Sequence, residues 1–270
     1  MNALTPFDII IPARYASSRY PAKPLALLRG VGGEAKSLIE RSWRCAMAVE
    51  GVRAVWVATD DDRIADAVTA FGGRVIMTSP DCLNGTERCA EAATKIADAP
   101  DIIVNLQGDA PLTPTHVVAE LVGHLAAHPD IVMATPGVKC SRSLYHHLVN
   151  DQMNGRVGGT TVVTNSQGKA LYFSKRVVPH LPPAVADRDY PPVKLHLGVY
   201  AYRRSGLELY RSLPVSELEQ LEGLEQLRFL DGGADIAVVE FEPMAWDVIE
   251  LNNPEDVPSI EAILRQRGMD

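Results

Sequence analysis

The sequence has no long apolar run, no excess of positive charge and few cysteines, and each lack removes a class of protein. No hydrophobic stretch in the 270 residues approaches the ~18 that span a bilayer, so no membrane partner is expected. Twenty-six Lys and Arg stand against 34 Asp and Glu, a net charge of −8, which suits neither a nucleic-acid binder nor an anionic membrane surface. Cys45, Cys82, Cys89 and Cys140 form no Cys-x-x-Cys pair and have no His at zinc spacing; they read as reduced, buried thiols. The first residues, MNALTPFD, lack a basic region followed by an apolar core. A cytoplasmic location is expected. There is no Walker A pattern, no internal repeat and no low-complexity tract.

What is present is a regular alternation. Residues 7–11, 54–58, 74–77, 102–106 and 131–134 are short apolar runs that read as buried strands. Between them, apolar residues recur at helical spacing over 36–48, 61–71, 86–97 and 114–127, with Gly72-Gly73 ending the second and Pro114 opening the last. Short strands alternating with helices of about a dozen residues predict an α/β fold with a mostly parallel, wrapped sheet. Ligands of such sheets sit at the carboxyl ends of the strands. Arg14, Asp60 and Asp109 lie just past such ends.

The pattern changes after about residue 140. TTVVTNSQGKALYFS reads as two strands around the loop Asn165–Gly168, and residues 179–192, with five prolines, as an ordered surface loop. Residues 194–203 and 236–241 read as strands, 217–230 as a helix with Leu218, Leu221, Leu224 and Leu227 on one side, and 254–268 as a last helix. The expected plan is a nucleotide-binding α/β domain, residues 1–136 and 241–270, with a smaller α+β lobe at 137–240.

The most informative stretch is IIPARYASSRYPAKPL, residues 10–25. Arg14, Arg19 and Lys23 follow a buried strand, and Pro12, Pro21 and Pro24 restrict the backbone between them. A stiffened loop loses less entropy when it meets a polyanion. Arg offers a planar fork for phosphate oxygens and Lys a compact charge. In an acidic chain this arrangement points to binding of a polyphosphate rather than to a solvated loop.

With IIPARYASSRYPAKPL, the segments VATDDDRIADAV, MTSPDCLNGTERCAEA, IVNLQGDAPLTP, GKALYFSKRVVP, HLGVYAYR, LEQLEGLEQLRFL and NNPEDV resemble, in order and over nearly the whole chain, the CMP-KDO synthetases (3-deoxy-manno-octulosonate cytidylyltransferases). The resemblance implies a nucleotidyltransferase fold, CTP and an acidic sugar as substrates, Mg2+, and a homodimer formed through the second lobe. It implies catalytic roles for Arg14, Lys23 and Asp109. Nucleotide contacts would come from Pro12, Ala13, Arg14, Arg19, Lys23, Thr59, Asp60, Gly85, Thr86, Arg88 and Gln107. The acceptor would be held by Gln107, Lys175, His196, Tyr200, Glu225 and Gln226. Asp109 and Asn252 would be the metal ligands. Each residue also has a plainer reading: Asn84 or Thr86 as a helix cap, Asp109 as a turn residue, His196 and Tyr200 as strand packing, Glu225 and Gln226 as a solvated helix face.

Four positions depart from the family pattern. Ala110 stands where a Glu is usual, Lys175 where an Arg is usual, Thr161 where a Lys is common, and Asn252 where an Asp is usual. Lys cannot reproduce the two-point grip of Arg, and Asn offers an oxygen without charge. Asp247 and Glu250 lie close enough in sequence to compensate. These changes leave open an altered acid acceptor, such as a modified sugar acid or a phosphonate, or a non-catalytic nucleotide binder. Asp60-Asp61-Asp62 contains the Asp-x-Asp spacing of metal-using glycosyltransferases, but it follows an early strand in a segment that fits the cytidylyltransferase pattern.

Overall fold

The computed structural model describes residues 5–16, 20–246 and 248–269. Chain order starts with strand β1 (Phe7–Ala13), a 3-10 turn (Lys23–Leu25), the small hairpin β2 (Leu27–Arg29) and β3 (Ala35–Ser37), then helix α1 (Leu38–Met47). There follow β4 (Val52–Thr59), α2 (Asp62–Ala70), β5 (Arg74–Met77), α3 (Gly85–Thr94), β6 (Ile102–Leu106), α4 (Thr115–Ala127) and β7 (Met133–Lys139). The second half contains α5 (Arg142–Met153), β8 (Thr160–Thr164), β9 (Ala170–Ser174), α6 (Pro183–Ala186), β10 (Lys194–His196), β11 (Val199–Arg203) and α7 (Arg204–Ser212). Last come α8 (Glu217–Glu222), α9 (Leu227–Asp231), β12 (Ala237–Phe241) and α10 (Val257–Gln266).

Among the described residues these strands build one ten-stranded sheet in the order β5-β4-β1-β6-β11-β7-β10-β8-β9, with β12 also on β7. Pairing is parallel across β5, β4, β1 and β6, and between β7 and β12; β11, β10, β8 and β9 run antiparallel to their neighbours. The α/β class expected from the sequence is what the chain forms. Strands within 137–240 extend the same sheet rather than forming a second one.

The alternation of side chains along β1 explains the layers. Ile9 and Ile11 pack on one face with Ile39 of α1, Ile64 and Val68 of α2 and Val118 and Leu121 of α4. Ile10 points to the other face, among Cys89 and Ala93 of α3, Leu207 and Tyr210 of α7 and Phe229 of α9. Each such aliphatic side chain contributes about 1.5–3 kcal/mol when fully buried.

Several element assignments differ from the sequence reading, among them a helical turn, α6, inside the expected loop 179–192, and three differ for a local reason. The helix expected over 217–230 is two short helices, because Gly223 ends α8 in the left-handed region at φ 59°. That break turns Glu225 and Gln226 inward, and of the four leucines Leu221 alone is exposed. The strand over 194–203 is interrupted at Leu197–Gly198. Because β12 covers one edge of β7 from Ala134 to Val138, β10 and β11 share the other, and the interruption falls between them. The strand expected at 131–134 begins later and runs to Lys139.

Candidate active site

The carboxyl ends of β1, β4 and β6 and the start of β11 lie at one end of the sheet, since Ala13 pairs with Thr59 and Val199 with Leu106. Four loops therefore converge there, and Arg14, Lys23, Asp60, Gln107 and Asp109 are on them.

The cationic loop leaves β1 at Arg14, which is exposed. Backbone bonds from Ala22 N–H to Tyr15 O (3.1 Å) and Lys23 N–H to Tyr20 O (3.2 Å) fold it back, and Ala22 takes a positive φ of 56°. The fold-back aims Lys23 at β6: its Nζ donates to Asp109 Oδ2 at 2.6 Å. Both side chains keep part of their surface in the cleft. Arg19 and Asp247 lie outside the described residues.

Asp109 is fixed by its own loop. Ser42 Oγ donates to Gly108 O at 2.9 Å, and Leu251 N–H donates to Asp109 O at 2.9 Å. The second bond brings the segment 250–252 alongside. It is anchored from behind by Leu251, Leu112, Leu28, Ile260 and Leu264, one apolar cluster under α10. Glu250 Oε1 packs against Gly198. Asn252 and Asn253 both donate backbone N–H bonds to Asp256 Oδ2, at 2.9 and 2.7 Å. Among the described residues no three His, Cys, Asp or Glu side chains cluster as a closed metal centre. The metal-binding side chains available on this loop and on the adjoining segment, Asp109, Glu250 and Asn252, carry oxygen ligands.

Gln107 joins this region to the next. Its Nε2 donates to Asn105 Oδ1 and Glu225 Oε1, both at 3.3 Å. A Cβ at Gly85 would stand 3.1 Å from that nitrogen and 3.3 Å from Pro12 Cγ, so α3 starts in close contact with β1 and β6. Asn84 caps α3 by accepting from Glu87 N–H at 2.9 Å. Thr86 N–H, the next free donor of the helix end, points at Glu225 Oε2 at 2.9 Å, and Thr86 Oγ1 meets Tyr202 OH at 2.8 Å. Of the two capping candidates Asn84 is the cap, which leaves Thr86 facing the site.

On the other side of Gln107 the environment is dry. Tyr200 OH donates to Gln226 Oε1 at 3.3 Å. His196 packs edge-on to Phe173 and tilted against Tyr200, at 5.0 and 5.5 Å between ring centres, and its Nε2 bonds Thr135 Oγ1 at 2.9 Å. Burial pushes the His196 imidazole down to about 3, so it is neutral. Burial also raises the Glu225 carboxyl, against the bonds from Thr86, and raises the Tyr200 phenol. Glu225 and Gln226 are thus not a solvated helix face. Among the described residues the Nδ2 of Asn105 and the Nε2 of Gln226 are buried donors without a hydrogen-bond partner.

The structure keeps some predicted residues apart from this group. Arg88 is buried, with Nη1 bonded to Thr78 Oγ1 at 2.5 Å and 3.4 Å from Asp60 Oδ1. Thr59 is fully buried beside them, accepting Thr78 N–H on its carbonyl. These three form a patch behind the ends of β4 and β5. Lys175 is tied through its backbone N–H to Glu222 Oε2 at 2.9 Å, and its Nζ lies over Gly223. Thr161 is structural: its Oγ1 donates to Arg176 O at 2.6 Å and accepts from Val178 N–H at 3.1 Å. Ala110 is buried, its carbonyl accepting from Thr113. Sequence reasoning missed Asn105, Glu250's place beside Gly198, and Arg228, described below. The signal for Arg228 was a lone charge inside the apolar run Leu227-Arg228-Phe229-Leu230.

Comparison with known proteins agrees with this geometry. The profile of the Cytidylyltransferase family matches residues 9–236. The 3-deoxy-manno-octulosonate cytidylyltransferase of Maricaulis maris is 43% identical over 259 residues, 96% of this chain and 97% of that one. The 8-amino-3,8-dideoxy-manno-octulosonate cytidylyltransferase of Shewanella sediminis is 40% identical over 262 residues, 95% and 97%. A solved structure of CMP:2-keto-3-deoxy-manno-octonic acid synthetase complexed with CTP is 37% identical, covers 96% of this chain and 98% of that one, and has a TM-score of 0.80. By profile, by identity along nearly its whole length and by fold, the chain belongs to the cytidylyltransferase family, among the 3-deoxy-manno-octulosonate cytidylyltransferases.

Proposed function

We propose that this protein transfers CMP from CTP to a 3-deoxy-manno-octulosonate acid and releases pyrophosphate. A hydroxyl oxygen of the acid attacks the α-phosphorus of CTP. The bond from that phosphorus to the bridging oxygen breaks, pyrophosphate departs with the electron pair, and the hydroxyl proton passes to solvent. The observation that supports this best is a whole-chain likeness at a TM-score of 0.80 to a synthetase solved with CTP, together with the Lys23–Asp109 pair at the strand ends. A phosphonate acceptor or a non-catalytic nucleotide binder is not favoured, since the full-length relatives act on octulosonates.

In this reading Arg14, Arg19 and Lys23 hold the triphosphate and offset its repulsion toward an anionic acceptor. Lys23 serves twice: it balances Asp109 in the free protein and turns to the phosphates when they arrive. The N-terminus of α3, with Gly85 and Thr86, faces the nucleotide; Thr86 N–H is held by Glu225 in the free protein and the positive end of the helix suits an anion. Gln107, Tyr200, His196, Glu225 and Gln226 orient the sugar acid, and Lys175 supplies a point charge toward its carboxylate. Arg88, Asp60 and Thr59 brace the nucleotide side from behind.

The residues fit Mg2+, which prefers oxygen donors and takes only one or two carboxylates where phosphates and water complete its shell. Asp109 would hold it, with Asn252 or Glu250 from the adjoining segment. When bound, it would neutralise charge on the phosphates during transfer. We also propose a cytoplasmic homodimer. Among the described residues no helix is long and apolar enough to cross a membrane, and the exposed Leu171 and Leu221 offer apolar surface within 137–240.

The test is release of pyrophosphate by the purified protein with CTP, Mg2+ and separate acids: 3-deoxy-manno-octulosonate, its 8-amino-8-deoxy analogue and unrelated sugar acids. Turnover with an octulosonate is expected. No pyrophosphate with either octulosonate would overturn the reading, and the ratio of rates between the two names the preferred acceptor.

A further inference from the structure

Behind the first turn of α3 lies a closed group of charges that neither substrate position uses. Arg228 is 3% exposed. Its Nε and Nη2 donate to Glu219 Oε2 and Oε1 at 2.7 and 2.8 Å, and its Nη1 donates to Glu87 Oε1 at 2.9 Å. Its guanidinium lies 4.1 Å from the centre of the Tyr210 ring. Each carboxylate then grips the start of α3. Glu87 Oε2 accepts from Leu83 N–H at 2.8 Å. Glu219 Oε1 accepts from Asn84 Nδ2 at 3.2 Å, and that same amide donates to Tyr210 OH at 2.8 Å. Residues 83–87 are therefore held by one guanidinium acting through two carboxylates.

Arg228 stands two residues after Gln226 and three after Glu225, in the turn that opens α9. We infer that Arg228 is a positioning residue for nucleotidyl transfer: it fixes the first turn of α3, with Gly85 and Thr86, at one distance from the Glu225–Gln226 turn. The inference rests on the reading above that those two segments face nucleotide and acceptor. The chemistry favours position over stability as the reason for the group. A buried ion pair is a weak source of stability, because desolvation offsets most of its attraction. A planar five-donor fork, by contrast, dictates where two carboxylates stand, and Lys cannot replace it.

The experiment measures CTP affinity by calorimetry, steady-state constants for both substrates, and Tm, in the parent, Arg228→Lys, Arg228→Ala and Glu87→Gln. Arg228→Lys is expected to weaken CTP binding about 10-fold and lower kcat about 10- to 100-fold in a protein that still unfolds cooperatively. Guanidinium at low millimolar concentration is expected to restore part of the kcat of Arg228→Ala, whereas tetramethylammonium is not. Glu87→Gln keeps the Arg228–Glu219 pair and tests the link to α3 even if the arginine variants do not fold; its CTP affinity is expected to fall several-fold. Parent-like affinity and kcat in Arg228→Lys or in Glu87→Gln would overturn the inference, as would a folded Arg228→Ala that guanidinium leaves unchanged. A parent that binds CTP but releases no pyrophosphate would sink the functional reading instead, and the affinity arm would still decide the role of Arg228.

Discussion

The two sides of the cleft are built on opposite principles. On the side proposed to hold the nucleotide the charges reach the cleft: Arg14 is exposed, and Lys23 and Asp109, though largely buried, keep part of their ion pair open to it. On the side proposed to hold the acceptor His196, Tyr200 and Gln226 are buried, and Glu225 is held by Thr86 and Gln107 in a place where burial raises its pKa. Surface charges can exchange partners at little energetic cost, which suits a triphosphate that enters with its own counter-charge. Buried polar groups keep one geometry and penalise any ligand that leaves them unpaired, which suits discrimination among sugar acids. The difference predicts that substitutions on the open side change activity alone, whereas those on the dry side change stability as well.

Asp109→Asn breaks the open side. It should lower kcat by about 10²–10³-fold, the usual effect of removing one group that stabilises developing charge. Tm should move by only a few degrees, because the pair keeps part of its surface in the cleft and a largely buried pair is itself a weak source of net stability. Thermal unfolding beside pyrophosphate release checks both halves. A large loss of stability would mean that Asp109 belongs with the structural groups.

Glu225→Gln sharpens the dry side. A carboxyl whose folded pKa is raised contributes stability below its unfolded value, and that contribution disappears as pH rises through the folded value. Replacing it with Gln removes this loss, so Tm at pH 8 should rise by about 1–3 °C, with no gain at pH 4. Turnover should fall about 10-fold, chiefly through the KM of the acid. Scanning fluorimetry at the two pH values and acceptor titration separate the effects. A fall in Tm at pH 8 contradicts the assignment of a desolvated carboxylate.

A further effect is confined to acid. His196, pushed down to about 3, stays neutral in the folded protein while the unfolded chain takes up its proton near 6.5. Stability due to this group is therefore complete above 6.5 and is lost as pH falls toward 3. His196→Gln should remove that loss, leaving the variant about 2 kcal/mol less sensitive than the parent to a change from pH 7 to pH 4.5. Urea unfolding at the two pH values measures it, and equal sensitivity of the two proteins would count against a neutral buried imidazole.

The sequence made the scaffold legible where one physical rule dominated. Apolar runs followed by helical spacing located β1, β4, β6 and α4, because burial on both faces leaves few polar positions in such strands. It was less legible where tertiary contact decided. The helix α7 follows β11 with no intervening loop, so no turn residue marks its start. The helix α5 has Ser141 as its cap, but His146 and His147 interrupt the apolar spacing around Leu144, Tyr145 and Leu148. For the site, the motifs named residues but not their partners. Lys23 on Asp109, Thr86 on Glu225 and Gln107 between Asn105 and Glu225 are contacts across 86, 139 and 118 positions of chain. No local pattern encodes them.

The central claim, that the cations of the loop after β1 hold the triphosphate, is tested most directly by titrating CTP into the parent and into Arg14→Ala/Lys23→Ala in a calorimeter. The account predicts a loss of affinity of about 100-fold or more, since each removed cation contributes a charge-assisted bond to phosphate. An unchanged affinity in a folded double variant would contradict it.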